Sequence, residues 1–181
     1  MRKMILILAV LVLALPAYAQ KDVSVGVFGG MNTPIVQDDA KSGSAFGIKA
    51  KYSPIPLIGV AAFFEARSFG DPSIEIGDVS MSTDGGKVTF IGIEGLIGST
   101  GGGIGPHFYW FMGLGNYKWT RDNREDFSKM GFHLGPGIEI VLPSNIGLEA
   151  KAKIEFISTG NDATRKNAII TVGANYHFAL M

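Results

Sequence analysis

Between Asp22 and Phe178 the chain carries eight separate segments in which apolar residues alternate one for one with small or polar residues. A strand turns successive side chains to opposite faces, so this pattern demands extended chain with one greasy face and one polar face. The segments cover residues 22–30, 44–52, 58–68, 87–97, 104–117, 129–141, 146–156 and 168–178. The cleanest is 146–156, where Ile146, Leu148, Ala150, Ala152, Ile154 and Phe156 point one way and Gly147, Glu149, Lys151, Lys153 and Glu155 the other. Each segment has about the 9–11 residues that a tilted strand needs to cross a hydrocarbon layer. Pro136 breaks the rule in mid-segment: it falls inside 129–141, and proline brings no ladder donor. The pattern of facing residues runs through it unchanged, which argues against a one-residue bulge.

Alternation alone does not say which face looks inward. Bulk decides it. The apolar face is rich in Ile, Phe and Trp, and the bore of an eight-stranded barrel is too narrow to hold them all. The other face carries Gly47, Gly59, Gly92, Gly105, Gly113, Gly115, Gly131, Gly135, Gly137, Gly147 and Gly173. A crowded bore uses small residues to make room for long ones; a solvated surface has no such need. The same face holds Lys49, Lys51, Arg67, Lys151 and Lys153 against Glu65, Glu94, Glu139, Glu149 and Glu155. Charges enclosed at low dielectric must be paired, so these ten residues are expected to form an ion network filling the bore. If the turn at Leu142–Asn145 sets the register, Glu139 lies near Glu149 and needs a neighbouring lysine.

The ends and the composition fit a membrane setting. Arg2 and Lys3 precede an apolar run from Met4 to Leu15, then Pro16 and a small-x-small site at Ala17-Tyr18-Ala19. This reads as a secretory signal peptide over residues 1–19, with a barrel domain over 20–181. The mature chain then has two more acidic than basic groups, which gives no footprint for nucleic acid. No cysteine is present, which excludes disulfides, a lipid-anchored cysteine and thiolate metal sites. After the leader no apolar run reaches the ~18 residues of a spanning helix, which leaves a closed sheet as the spanning solution. The connections alternate long and short, beginning with 31–43 and ending with 158–167. Membrane barrels put short turns in the periplasm and longer loops outside, which places both termini in the periplasm. The longest connection, 69–86, contains Ile74-Glu75-Ile76, Gly77-Asp78 and Val79-Ser80-Met81, the pattern of a small hairpin. Gly98 to Gly103 reads as a flexible turn and 118–128 as a charged loop.

The last segment also carries a motif. Thr171-x-Gly173-x-x-Tyr176-x-Phe178 is similar to the terminal signal by which bacterial outer-membrane barrels are recognised for assembly. With the eight alternating segments, it makes the mature chain resemble the small outer-membrane barrels of the OmpX and OmpA-transmembrane-domain type. That resemblance implies an all-β fold: an eight-stranded antiparallel up-and-down transmembrane β-barrel, inserted by the barrel-assembly machinery, with loops at the cell surface. Tyr52, Phe108, Tyr176 and Phe178 at one end and Phe46, Phe64, Phe132 and Phe156 towards the other match two interfacial girdles.

No chemistry rises above this frame. His107, His133 and His177 all share the inward face but stand at different heights, so they read as satisfied bore residues rather than a metal site. Gly101-Gly102-Gly103-x-Gly105 lacks the Lys-Ser/Thr of a phosphate loop. No histidine lies on the greasy face or in a surface loop to serve a lipid-cleaving serine. The expectation is therefore a non-enzymatic, cofactor-free monomer in contact with outer-membrane lipid, anchoring surface loops for adhesion, interaction or a structural role. Loop 69–86 is the candidate for an extracellular partner. A soluble periplasmic lipocalin-like binder of a small apolar ligand, and a narrow pore or conduit, are the alternatives.

Overall fold

The computed structural model describes residues 21–35, 41–70, 73–76, 79–82, 86–101, 103–120, 126–160 and 163–180, so the leader expected over 1–19 lies outside the described residues. Ten strands follow in order: β1 Lys21–Ile35, β2 Gly43–Ile55, β3 Ile58–Ser68, β4 Ser73–Ile76, β5 Val79–Ser82, β6 Lys87–Gly98, β7 Gly105–Thr120, β8 Phe127–Val141, β9 Ile146–Gly160 and β10 Ala163–Leu180. Eight of them close on themselves in the order β1-β10-β9-β8-β7-β6-β3-β2, each antiparallel to its neighbours. Strands β4 and β5 form a separate two-stranded hairpin, paired from Ser73↔Ser82 to Ile76↔Val79. The eight-stranded up-and-down barrel read from the alternation is the fold.

Closure joins the first strand to the last, from Lys21↔Leu180 up to Ile35↔Lys166. The short connections 56–57 and 142–145 lie at the end where the strand termini meet, which makes that the periplasmic end. Asn145 takes a left-handed backbone conformation (φ 62°), which lets the second of these turns reverse in four residues.

The greasy face points outward. Thirty large apolar side chains are exposed among the described residues, Trp110, Phe108, Ile93 and Ile48 among them. A water-soluble protein does not leave such a belt bare, and acyl chains cover it in a bilayer. The soluble, lipocalin-like alternative needs these residues inside and falls on this arrangement.

Several strands run further than the alternation shows. β1 continues to Ile35 where a loop was expected from Met31, and β10 starts at Ala163 rather than Ala168. β7 reaches Thr120 and β8 starts at Phe127, inside the expected loop 118–128. The final connection shrinks from 158–167 to 161–162. All of these additions lie at the end away from the termini. Beyond the hydrocarbon the outer face carries polar residues such as Lys118 and Thr120, so the apolar-polar contrast fades while the hydrogen-bond ladder continues.

The Gly98–Gly103 turn, read as flexible, is tucked under the barrel. Thr100 is buried, its amide donates to the Pro56 carbonyl at 2.7 Å, and the Ser53 hydroxyl donates to the Thr100 carbonyl at 2.9 Å. Gly98, Gly103 and Gly105 have φ values near +130°, which only glycine adopts freely.

Candidate functional site: a filled bore

All ten charged residues expected in the bore lie there, buried or nearly so, and each meets an opposite charge. The pairs are organised by barrel closure rather than by neighbouring strands. β3 and β9 are four strands apart whichever way round one counts, so they face each other across the bore. Arg67 on β3 reaches over it to Glu155 on β9 with both terminal nitrogens, Nη2 to Oε1 at 2.6 Å, and its Nε lies 2.6 Å from Glu65 Oε1. Lys153 on β9 returns the connection, with Nζ 2.6 Å from Glu65 and 3.3 Å from Glu155. The Arg67, Glu65 and Glu155 side chains are 0% exposed. A fork of donors matched to a carboxylate is the geometry that offsets the desolvation of buried ions.

Two further layers lie below. Lys151 holds Glu94 at 2.5 Å, and His133 Nε2 approaches the same carboxylate at 3.1 Å. Glu139 and Glu149 are direct cross-strand partners on β8 and β9, as the turn register implied. Their repulsion is relieved by two lysines of β2: Lys51 bonds Glu139 and Lys49 bonds Glu149. The Tyr109 hydroxyl donates to Glu149 at 2.5 Å, and Asn175 Nδ2 donates to Glu139 at 2.5 Å. His177 completes the lowest layer, with Nε2 2.9 Å from Glu139 and Nδ1 2.8 Å from Asp22. This contact ties the last strand to the first inside the bore.

The histidines do not converge. His107 lies against the Ser99 hydroxyl (2.7 Å) and the Gly103 carbonyl (2.8 Å), His133 against Glu94, and His177 between two carboxylates.

The aromatic part of the bore reaches beyond the alternating segments to Phe69 and Trp119. Around and above the Arg67 layer, Phe63, Phe69, Val88, Phe90, Tyr117, Trp119 and Ile157 pack into one buried cluster. Phe90 stacks on Tyr117 at 3.9 Å and Phe69 on Trp119 at 4.9 Å, while the Arg165 guanidinium lies 4.3 Å from the Trp119 ring. Trp119 fell in the expected charged loop. The available signal was parity: Trp119 shares the face of Tyr109, Phe111 and Tyr117 once β7 is allowed to continue. Asp22 was missed for a different reason, because its partner is 155 residues away.

The inward glycines make room for these rings. Phe28 lies between its two cross-strand partners Gly47 and Gly173, Tyr109 over Gly137 and His133 over Gly113. A β-carbon at any of these four glycines would run into the facing side chain. Among the described residues an internal cavity of about 20 Å³ is lined by Phe28, Lys49, Phe63, Glu65, Glu94, Lys151, Lys153 and Thr171. That is room for about one water.

Residues 5–178 match the profile of the outer membrane protein beta-barrel domain. The chain belongs to that family. Outer-membrane barrel proteins among solved structures share its fold at low identity. Neisserial surface protein A aligns with TM-score 0.61 and 16% identity, covering 87% of this chain and 97% of its own. The N-terminal β-barrel domain of Pseudomonas aeruginosa OprF aligns with TM-score 0.54 and 17% identity, covering 87% and 98%. Ail, the attachment invasion locus protein of Yersinia pestis, solved with the heparin analogue sucrose octasulfate, gives TM-score 0.52 and 18% identity, covering 88% and 99%. No curated protein matches the sequence closely enough to count as a relative. Like the rest of its family, this outer-membrane barrel resides in the outer membrane.

The residues of the expected assembly motif lie on β10. Tyr176 and Phe178 face lipid, with rings 4.8 Å apart, and Thr171 faces the bore. Gly173 faces inward too and leaves space for Phe28.

Proposed function

We propose that this outer-membrane barrel is a non-enzymatic anchor that holds surface loops for interaction with an extracellular partner. The observation that carries the reading is the filled bore: ion pairs spanning its diameter and an aromatic cap leave a cavity of about 20 Å³. Such packing speaks against a conducting channel or conduit. A hydrolase reading lacks support in the one serine–histidine contact described above, because the His107 ring is oriented by the Gly103 carbonyl rather than by a carboxylate. The outward belt lies in contact with outer-membrane lipid, and the barrel works as a monomer.

Segment 69–86 is the part proposed to meet the partner. Its β4–β5 hairpin is paired within itself and belongs to a sheet separate from the barrel, so its backbone edges suit strand addition. The fold relative Ail is an attachment invasion locus protein solved with a heparin analogue, which makes a sulfated glycan a sensible first probe. Thr171, Gly173, Tyr176 and Phe178 are proposed to present β10 to the assembly machinery, after export and cleavage behind Ala19.

An epitope inserted between Gly77 and Asp78 tests the display. Antibody should stain intact cells. Staining only after permeabilisation overturns the reading.

A further inference from the structure

The barrel wall has one interruption at mid-height, and it coincides with the anomalous proline. β8 is paired with β7 without a break, including Trp110↔Pro136. On its other side β8 is paired with β9 through Leu134↔Ile154 and again from Gly137↔Lys151, with the two intervening rungs missing. The register is the same above and below, so no bulge has formed. The remaining irregularities of the described wall fall at strand ends, between Tyr52 and Ile55 and between Ala163 and Thr164.

The gap follows from one missing atom. In an antiparallel ladder, directly opposed residues exchange both hydrogen bonds at every second rung. Pro136 has no N–H, so the Ala152 carbonyl opposite it loses its donor, while the Ala152 amide can still donate to the Pro136 carbonyl. No water is present in the hydrocarbon to replace that donor. The wall is also thin here. Gly135 and Gly137 face the bore, and Ala150 and Ala152 flank the outer side. Only glycine fits at 135, because a β-carbon there would run into the Ala152 carbonyl oxygen. On the bore side of this stretch stand Lys151 and Lys153, which also line the internal cavity.

We infer that the β8–β9 seam at Pro136 is the barrel's point of local opening, where the wall parts transiently and exchanges water with the internal cavity while the other seams stay shut. The ion pairs made by Lys151 and Lys153 run across the bore to β6 and β3, so they hold the two halves in register when the rungs separate.

Amide hydrogen exchange of the folded barrel in lipid nanodiscs, read by NMR, tests this. The amides of Ala152 and Ile154 are expected to exchange about tenfold faster than mid-wall amides of the unbroken β6–β7 seam. Equal protection of the two seams overturns the inference. Pro136→Ala restores the donor and is expected to slow Ala152 and Ile154 to the β6–β7 level; unchanged exchange in the folded variant overturns it too. If that variant does not fold, the comparison of seams within the unaltered protein decides alone.

Discussion

Replacing Arg67 by Met is the sharpest probe of the filled bore. The arginine is 0% exposed, and it neutralises Glu65 and Glu155 together with Lys153. Methionine keeps part of the apolar stem but leaves two buried carboxylates to one ammonium. Removing one partner of a buried ion pair costs about 3–5 kcal/mol. Loss of the guanidinium from the Phe90 and Tyr117 rings, at 5.4 and 5.6 Å, adds roughly 0.5–1 kcal/mol each. The single variant should therefore lose about 4–7 kcal/mol. Removing Glu155 as well restores the balance, because Glu65 then faces Lys153 at 2.6 Å. The double variant Arg67→Met with Glu155→Leu should lose less than half as much as the single one. Urea unfolding in phospholipid vesicles, followed by tryptophan fluorescence and by the shift between unboiled and boiled samples on a gel, gives both numbers. A loss under about 1 kcal/mol for Arg67→Met would be the value of a solvated surface pair. That result, or a double variant weaker than the single, would refute a dry, paired bore.

Other consequences are simpler to read. Gly115→Val places a β-carbon in the Phe90 ring and should cost about 1–3 kcal/mol in the same unfolding assay, whereas Gly95→Val, facing lipid with only the Met112 carbonyl at 4.0 Å, should change little. Planar bilayers containing the purified protein should show no discrete conductance steps, and steps whose frequency rises with the amount of protein added would contradict the filled bore. Tyr176→Ala with Phe178→Ala should slow the appearance of folded barrel in cells more than refolding into vesicles of pure lipid; equal slowing would deny the motif a role with the assembly machinery. Deleting residues 71–85 should leave the gel shift of the folded barrel intact while removing binding of cells to immobilised heparin, and loss of the shift would show that the segment holds the barrel together.

The side on which almost every wall residue stands was legible in the sequence. Parity fixes it: Lys49, Lys51 and Glu149 share a face with glycines, Ile48, Ala50 and Leu148 with other apolar residues, and bulk then says which face meets lipid. Parity reports on the residue and its immediate neighbours only, so it worked where the membrane keeps the two faces chemically different. It stopped short at the upper ends of β1, β7 and β10, where the outer face leaves the hydrocarbon and turns polar, and Trp119, buried on the inner face, was lost with them. Which charge meets which was decided by closure. Arg67 and Glu155 are far apart in the chain, and only a ring of eight strands sets them on facing walls at one height. The same holds for Asp22 and His177, and for the neighbour of Pro136 that loses a hydrogen bond. A strand carries its own sidedness in its residues, but the height of one strand against another is a property of the closed ring, and no single segment contains it.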